Sequence, residues 1–244
     1  NDQILCDVPL KYIQHSRSPL YSYIFTLPLF LAYEFGLFII SSRDIPQLRN
    51  GADVLMRNVL ETFGLLGMYG FGFMLFFGFL LVFIIQRKKW KATEFNLSFL
   101  FFMFAESVVW SAGLFSIMNI SNQAALMNPN TRFLIQRVVL SIGAGIYEEF
   151  VFRLLFIGGF TYLIGLVLQW KPLGRKIGAV VLSAVIFSLF HFVGVLGDQP
   201  DVGLFFVRFV AGLFLGGLYC FRGFGITACT HALYDLILLV MVVT

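Results

Sequence analysis

The chain has 244 residues, of which 59% are hydrophobic, 12% are charged and 31 are Phe. Soluble domains carry about 25% charged residues, so this composition excludes an ordinary soluble protein and indicates a membrane protein. The formal net charge is +4, but the basic residues are scattered over short connections and form no concentrated basic face. We therefore expect the lipid bilayer as a partner and no nucleic acid.

Seven apolar stretches are long enough to cross a bilayer, which takes about 20 residues per helix. In chain order they are Leu20–Ser41, Phe63–Ile85, Phe95–Met118, Phe133–Leu168, Ile177–Leu196, Gly203–Phe221 and Gly225–Val243. They do not alternate between apolar and polar residues, as the strands of an outer-membrane barrel would. Because helices satisfy their own backbone hydrogen bonds in lipid, the sequence predicts an all-α fold, a polytopic transmembrane helical bundle of about seven spans.

The fourth stretch, Phe133–Leu168, is too long for one straight crossing. We expect it to tilt, to bend near Gly158 and Gly159, or to end as a turn at the membrane surface. The longest polar connection, residues 41–61, is too short to bury a core of its own. The sequence therefore predicts a single membrane-embedded domain over residues 1–244, with N-terminal spans in 1–131 and a motif-bearing core in about 132–244. The first span is expected to be an uncleaved anchor.

Lys and Arg are unevenly divided between the two sides that alternating spans would create. One side, which holds the amino terminus, carries Lys11, Arg17, Arg87, Lys88, Lys89, Lys91, Lys171, Arg175, Lys176 and Arg222. On the other side the basic residues are diluted by Asp and Glu. The positive-inside rule then places the amino terminus in the cytoplasm and the carboxyl terminus outside. We expect an integral protein of a bacterial or archaeal inner membrane.

Ionisable residues inside the predicted spans indicate a polar site. Glu148, Glu149 and Arg153 lie within one apolar run, although a charge at membrane depth costs at least about 2.5–3.5 kcal/mol on insertion scales. The other members are His191, His231 and Asp235, which lie in two further apolar stretches. We therefore expect these residues, drawn from three helices, to form one site.

The spacing of these residues divides their roles. Glu149 and Arg153 are four residues apart, so they share a helix face and can pair. Glu148 is rotated from Glu149 by about 100° and is expected to face a cavity. A carboxylate in such a cavity suits a general base, and with His191 it can hold and deprotonate a water. His231 can then donate a hydrogen bond to the oxyanion that forms when the water attacks a peptide carbonyl.

Three short motifs occur in order on separate predicted helices. They are EExxxR from Glu148 to Arg153, FxxxH from Phe187 to His191, and HxxxD from His231 to Asp235. This pattern resembles the CPBP family of membrane proteases, which includes the CAAX prenyl endopeptidases and the bacterial Abi and bacteriocin-processing enzymes. The resemblance covers roughly Leu140 to the end of the chain.

The resemblance implies an intramembrane endopeptidase in which Glu148, His191, His231 and Asp235 are catalytic. Glu149, Arg153 and Phe187 would support them. The implied partner is a peptide or protein substrate at the membrane, such as a lipidated carboxyl-terminal tail, a peptide precursor or a sorting signal. The sequence does not indicate the oligomeric state.

Asp235 departs from the pattern, because the CAAX enzymes often have Asn at that position. An Asn amide can donate a hydrogen bond, whereas Asp donates only when it is protonated. Two roles therefore stay open at this stage. Asp235 either is protonated and donates, or accepts from His231 and orients it.

A zinc site is the competing mechanism. Glu148, His191 and His231 could hold Zn²⁺ and leave one position open for water. The HExxH spacing of membrane zinc proteases does not occur in the sequence, so we favour a mechanism without a metal or other cofactor. Two non-proteolytic functions also remain open, namely a partner-binding scaffold of the same fold and a transporter or proton relay.

Other features of the spans have weaker interpretations. Glu34 and Glu106 either line the same cavity or lie near an interface, and Arg208 is expected to reach out of the membrane. Gly143 and Gly145 give room either to a substrate backbone or to a packed helix. Residue counting also leaves His191 and His231 at depths that differ by roughly 10 Å, which helix tilt must reconcile.

Overall fold

The computed structural model describes residues 11–40, 51–62, 72, 76–80, 84, 95–119, 134–193 and 197–243. This part of the chain is helical, and it contains no strand. The helices are α1 (Pro19–Ile39), α2 (Gly51–Thr62), α3 (Ser98–Asn119), α4 (Leu134–Val167), α5 (Pro172–Phe190), α6 (Val202–Arg222) and α7 (Phe224–Val243). A short helical segment, residues 11–16, precedes α1.

Six of the described helices, all but α2, are long and apolar enough to cross a membrane. The protein is therefore a polytopic helical membrane protein, as the sequence predicts. The second predicted span, Phe63–Ile85, lies largely outside the described residues. The fifth predicted span is displaced: α5 begins at Pro172, where proline suits the first helical turn, and ends at Phe190.

Helix α4 is continuous over 34 residues, but its hydrogen-bond register changes twice. It is π-helical over Ala144–Glu148 and Phe150–Ile157, and it is α-helical again from Gly158. The return to α-helical register lies at Gly158, near the position at which a bend is one of the three predicted alternatives. Because π-helical turns are frequent at functional sites, the change of register over the EExxxR motif fits a functional role for this part of α4.

Helix α7 lies at the centre of the bundle. It packs against α1, α3 and the first half of α4, and Ile226, Ala228 and Ala232 are fully buried. Helix α5 packs between the second half of α4 and α6. The outer faces carry exposed apolar side chains such as Phe38 and Phe101, as a surface in contact with lipid requires. The motif-bearing parts of α4, α5 and α7 therefore face one another inside the bundle.

Two glycines allow this close packing of α4. A Cβ on Gly145 would lie 2.6 Å from the carbonyl oxygen of Ala228 and 2.7 Å from the Cβ of Ala232, both on α7. A Cβ on Gly143 would lie 2.3 Å from the ring of Tyr33 on α1. The space beside both glycines is thus filled by neighbouring helices, which favours the packing interpretation over room for a substrate.

Candidate active site

The structure brings the six ionisable residues of the three motifs into one cluster. Glu148, Glu149 and Arg153 come from the π-helical part of α4, His191 follows the last residue of α5, and His231 and Asp235 come from the middle of α7. The expected depth difference of roughly 10 Å between the two histidines is not found between their rings. The Nε2 atoms of His191 and His231 each lie 4.0 Å from the same oxygen of Glu148, Oε2.

Glu149 is the buried centre of the cluster. Its Oε2 lies 3.0 Å from Nε of Arg153, and both side chains are completely buried. Its Oε1 accepts a hydrogen bond of 2.8 Å from Nδ1 of His231. A buried charge is tolerated when it is paired and hydrogen-bonded, so Glu149 and Arg153 balance each other while Glu149 orients His231. The sequence predicts the first contact and misses the second.

Phe187 supports the same group from α5. Its ring centroid lies 4.9 Å from the guanidinium carbon of Arg153, which is within the range of a cation–π contact. The ring also meets the imidazoles of His191 and His231 at centroid distances of 4.9 Å and 6.2 Å. Phe187 therefore packs against Arg153 and against both histidines.

The protonation of His191 is set by its own helix. Its Nδ1 donates a hydrogen bond of 2.8 Å to the carbonyl oxygen of Phe187, so the lone pair of the neutral ring is on Nε2, the atom facing Glu148. His191 lies one residue beyond the span of α5, and burial lowers the pKa of its imidazole, although the Glu148 carboxylate opposes the shift. The neutral ring therefore presents an acceptor to the space beside Glu148.

Asp235 lies at the edge of the cluster. Its Oδ2 is 3.7 Å from Nε2 of His231, which is too long for a direct hydrogen bond. The predicted contact between these two residues is thus an electrostatic one, and the carboxylate is a neighbour of the face that His231 turns toward Glu148.

Exposure differs across the cluster in a way that suits a pocket. The side chains of His191 and Asp235 are 26% and 23% exposed, whereas those of Glu149 and Arg153 are 0% exposed. Glu148 and His231 lie between these extremes at 9% and 7%. The sealed end holds the charge pair, and the partly open end carries the groups that can meet a reactant.

The separations within the cluster are longer than those between the ligands of a bound zinc ion. Zinc lies about 2.0–2.2 Å from nitrogen and oxygen ligands in a tetrahedron, so ligand atoms lie roughly 3.3 Å apart. The two distances from Glu148 to the histidines are both 4.0 Å. Among the described residues, no group of three or more His, Cys, Asp and Glu side chains has an arrangement that could hold a metal ion.

A second polar network, which the sequence motifs do not predict, borders the site. Tyr147, which precedes Glu148, donates a hydrogen bond of 2.8 Å to Glu34 on α1. Arg57 on α2 lies 3.8 Å from Glu34 and pairs with Asp53 at 2.5 Å. Only the contact between Asp53 and Arg57 could be predicted from the sequence, because residues four apart on a helix can pair. Glu34 thus belongs to a neighbouring network, which contacts α4 at Tyr147, one residue before Glu148.

Glu106 belongs to a different place. It accepts hydrogen bonds from Tyr12 at 2.6 Å and from Trp110 at 3.1 Å, and it pairs with Arg222 at 2.5 Å. These contacts join the segment 11–16, α3 and the end of α6. The interpretation that Glu106 lines the cavity finds no support in these contacts, which indicate a brace between helices.

Comparison with known families agrees with the motif pattern. Residues 129–237 match the family described as type II CAAX prenyl endopeptidase, Rce1-like. The matched region begins shortly before α4 and ends just after Asp235, so it contains the whole cluster. No curated protein and no solved structure matches the chain.

Proposed function

Because residues 129–237 match the family described as type II CAAX prenyl endopeptidase, Rce1-like, we propose that the chain is an intramembrane endopeptidase in which Glu148 activates a water. The family is one of proteases set in a membrane helical bundle, and the six span-capable helices fit this description. The substrate proposed is a membrane-associated or lipidated peptide or protein. The reaction would process a carboxyl terminus, mature a peptide or serve protein sorting.

The observation that carries the proposal is the 4.0 Å separation between Oε2 of Glu148 and Nε2 of His191. Both atoms are acceptors, since Nδ1 of His191 is already used as a donor to Phe187. A water about 2.8 Å from each atom fits between them and donates one O–H to each. Its lone pairs then point away from both acceptors, toward a peptide carbonyl carbon.

The chemical step follows from this placement. The water oxygen forms a bond to the carbonyl carbon while its proton passes to the Glu148 carboxylate. The carbonyl π electrons move onto oxygen and create an oxyanion. Collapse of the tetrahedral intermediate breaks the C–N bond, and the proton held by Glu148 passes to the leaving amine.

His231 is the proposed donor to the oxyanion. Its Nδ1 donates to Glu149, so Nε2 donates only when the ring is an imidazolium. The carboxylates of Glu149 and Asp235 balance that charge from 2.8 Å and 3.7 Å. A fixed donor at a developing negative charge lowers the barrier most when it is already oriented, as the Glu149 contact orients His231.

The mechanism proposed needs no metal. Glu148 and His191 supply both acceptors for the water, and their 4.0 Å separation leaves room for one water to bridge them. Phe187 and the sealed Glu149–Arg153 pair hold the reacting side chains in place.

The proposal is tested with purified protein in detergent and quenched-fluorescence peptides. One peptide carries a lipidated carboxyl-terminal tail, and a matched peptide has the same sequence without the lipid. Cleavage by the wild type and its loss in Glu148→Gln, with product masses that place the cut, would support the proposal. Glu61→Gln is the matched control, because Glu61 is an exposed carboxylate on α2.

The two other functions give different results. A transporter would show ion flux into liposomes that depends on Glu148, with no peptide cleaved. A scaffold would show neither flux nor cleavage. Cleavage that persists unchanged in Glu148→Gln would contradict the role proposed for the carboxylate.

A further inference from the structure

His191 lies one residue beyond the end of α5. Helix α5 ends at Phe190, and helix ends lack part of the hydrogen-bond ladder that fixes the interior of a helix. Nevertheless Nε2 of His191 must stay close to Glu148 for one water to bridge the two. Contacts of the segment that follows α5 add to the bond between Nδ1 of His191 and the carbonyl oxygen of Phe187 in holding this residue.

Asp198 supplies one such contact. Its backbone N–H donates a hydrogen bond of 2.9 Å to the carbonyl oxygen of His191. Its carboxylate forms an ion pair with Nη2 of Arg208 on α6. The backbone of His191 is thus connected through Asp198 to a charged side chain on the next helix.

Arg208 supplies the second contact. Its guanidinium carbon lies 5.3 Å from the ring centroid of Phe192, the residue after His191. Arg208 is only 7% exposed, and its guanidinium pairs with Asp198 in the connection before α6. Burying a guanidinium is costly unless it is paired, so the contact with Asp198 fixes where Arg208 can lie.

The helix that carries Arg208 is itself fixed relative to α5. Ser188 donates a hydrogen bond of 2.7 Å to the carbonyl oxygen of Phe205 on α6. A Cβ on Gly212 would lie 3.1 Å from Ala184 on α5, which shows how closely the two helices approach. Arg208 lies about one helical turn from both Phe205 and Gly212, so close packing against α5 fixes the part of α6 that carries it.

We propose that Arg208 and Asp198 are positioning residues that set the distance between His191 and Glu148. This inference rests on the proposed function, and neither residue belongs to the three motifs. A shift of His191 by about 1 Å would change the angle at which a bridging water meets Glu148 and His191 and so the direction of its lone pairs, and misplacement of that size can cost about 10²-fold in rate. The pair acts on the approach of the water and leaves the binding of the peptide unchanged.

The kinetic test uses Arg208→Met, Asp198→Asn and the double variant. Each single variant is expected to lower kcat at least about tenfold while KM stays within a factor of about two. The double variant should be no slower than the slower single variant, because both changes break one interaction. Arg208→Lys should recover part of kcat, since an ammonium can still pair with Asp198.

The matched control is Arg175→Met. Arg175 lies near the start of α5 and donates to the carbonyl oxygen of Trp170, far along the helix from His191. Arg175→Met removes a guanidinium from α5, far from His191, and should leave kcat unchanged. Equal losses in Arg175→Met and Arg208→Met, or multiplicative losses in the double variant, would overturn the proposal. Asp198→Asn retains the backbone N–H and the size of the side chain, so it serves if Arg208→Met does not fold.

A second measurement does not need turnover. Diethylpyrocarbonate modifies neutral imidazoles, and peptide mass spectrometry gives the rate at His191 relative to His15 in the same molecule. Release of His191 in Arg208→Met and Asp198→Asn should raise this ratio severalfold, and an unchanged ratio in both would overturn the proposal. If the wild type cleaves none of the peptides, the proposed function fails while this ratio still decides whether Arg208 and Asp198 position His191.

Discussion

Replacement of Gly145 by Ala tests whether close packing of α4 on α7 sets the geometry of the site. The new Cβ would lie 2.6 Å from the carbonyl oxygen of Ala228, and an ordinary contact begins at 3.4 Å. The two helices must therefore separate by about 0.8 Å at that point. The atoms in the way are backbone and a Cβ, so no flexible side chain can move aside.

The consequence reaches the buried charges. If Glu149 moves with α4, its hydrogen bond to His231 lengthens from 2.8 Å to about 3.6 Å, a distance at which no hydrogen bond remains. Overpacking of this kind costs about 1–3 kcal/mol, which lowers the melting temperature by at least about 2–4 °C for a chain of this length. Loss of the orientation of His231 is expected to lower kcat by about 10²-fold.

The assay compares Gly145→Ala with Gly158→Ala. Gly158 lies on the same helix, and a Cβ there meets no atom within 4 Å. Intrinsic fluorescence in detergent gives the melting temperature, and peptide cleavage gives kcat. Gly158→Ala should match or slightly exceed the wild type in stability, because Ala favours a helix over Gly by up to about 1 kcal/mol. Equal melting temperatures and equal kcat values of the two variants would show that close packing at Gly145 does not set the geometry of the site.

Three further predictions concern the chemistry of the site. Asp235→Asn should keep the cleavage rate within about tenfold of the wild type, because Asp235 and His231 are 3.7 Å apart and form no direct hydrogen bond. Complete loss of cleavage would instead indicate that the Asp235 carboxylate orients His231. Dialysis against a strong chelator should leave the cleavage rate unchanged, and recovery of lost activity by added zinc would favour the metal mechanism. Cleavage should be lost as falling pH protonates the His191 ring. Because burial lowers the pKa of His191 from its ordinary 6.5, the acid limb of the kcat/KM profile should have its midpoint below pH 6.5. A midpoint above pH 6.5 would contradict this prediction.

Much of the fold and of the candidate site follows from local patterns. Apolar runs of about 20 residues predict spans, and six of the seven predicted spans correspond to helices of the described part. The spacing of four residues predicts the pairing of Glu149 with Arg153, which the structure has at 3.0 Å. The three motifs also predict which helices contribute to the site, since charged residues within spans turn toward the protein interior.

The contacts that local patterns do not predict are long-range or depend on helix register. The bond from His231 to Glu149 joins residues that are 82 positions apart, and the π-helical register of α4 changes which side chains face α7. The burial of Arg208 depends on Asp198, which lies in the connection before α6. A pattern that repeats every three or four residues carries no information on such pairings.

One water is proposed to lie between Glu148 and His191, and an experimental structure of the protein at a resolution that shows ordered water would reveal whether it is there. We predict a water about 2.8 Å from Oε2 of Glu148 and from Nε2 of His191, on the side that faces the partly open end of the pocket. A zinc ion bonded to these two atoms and to His231, or an imidazole of His191 turned away from Glu148 toward lipid, would contradict the account.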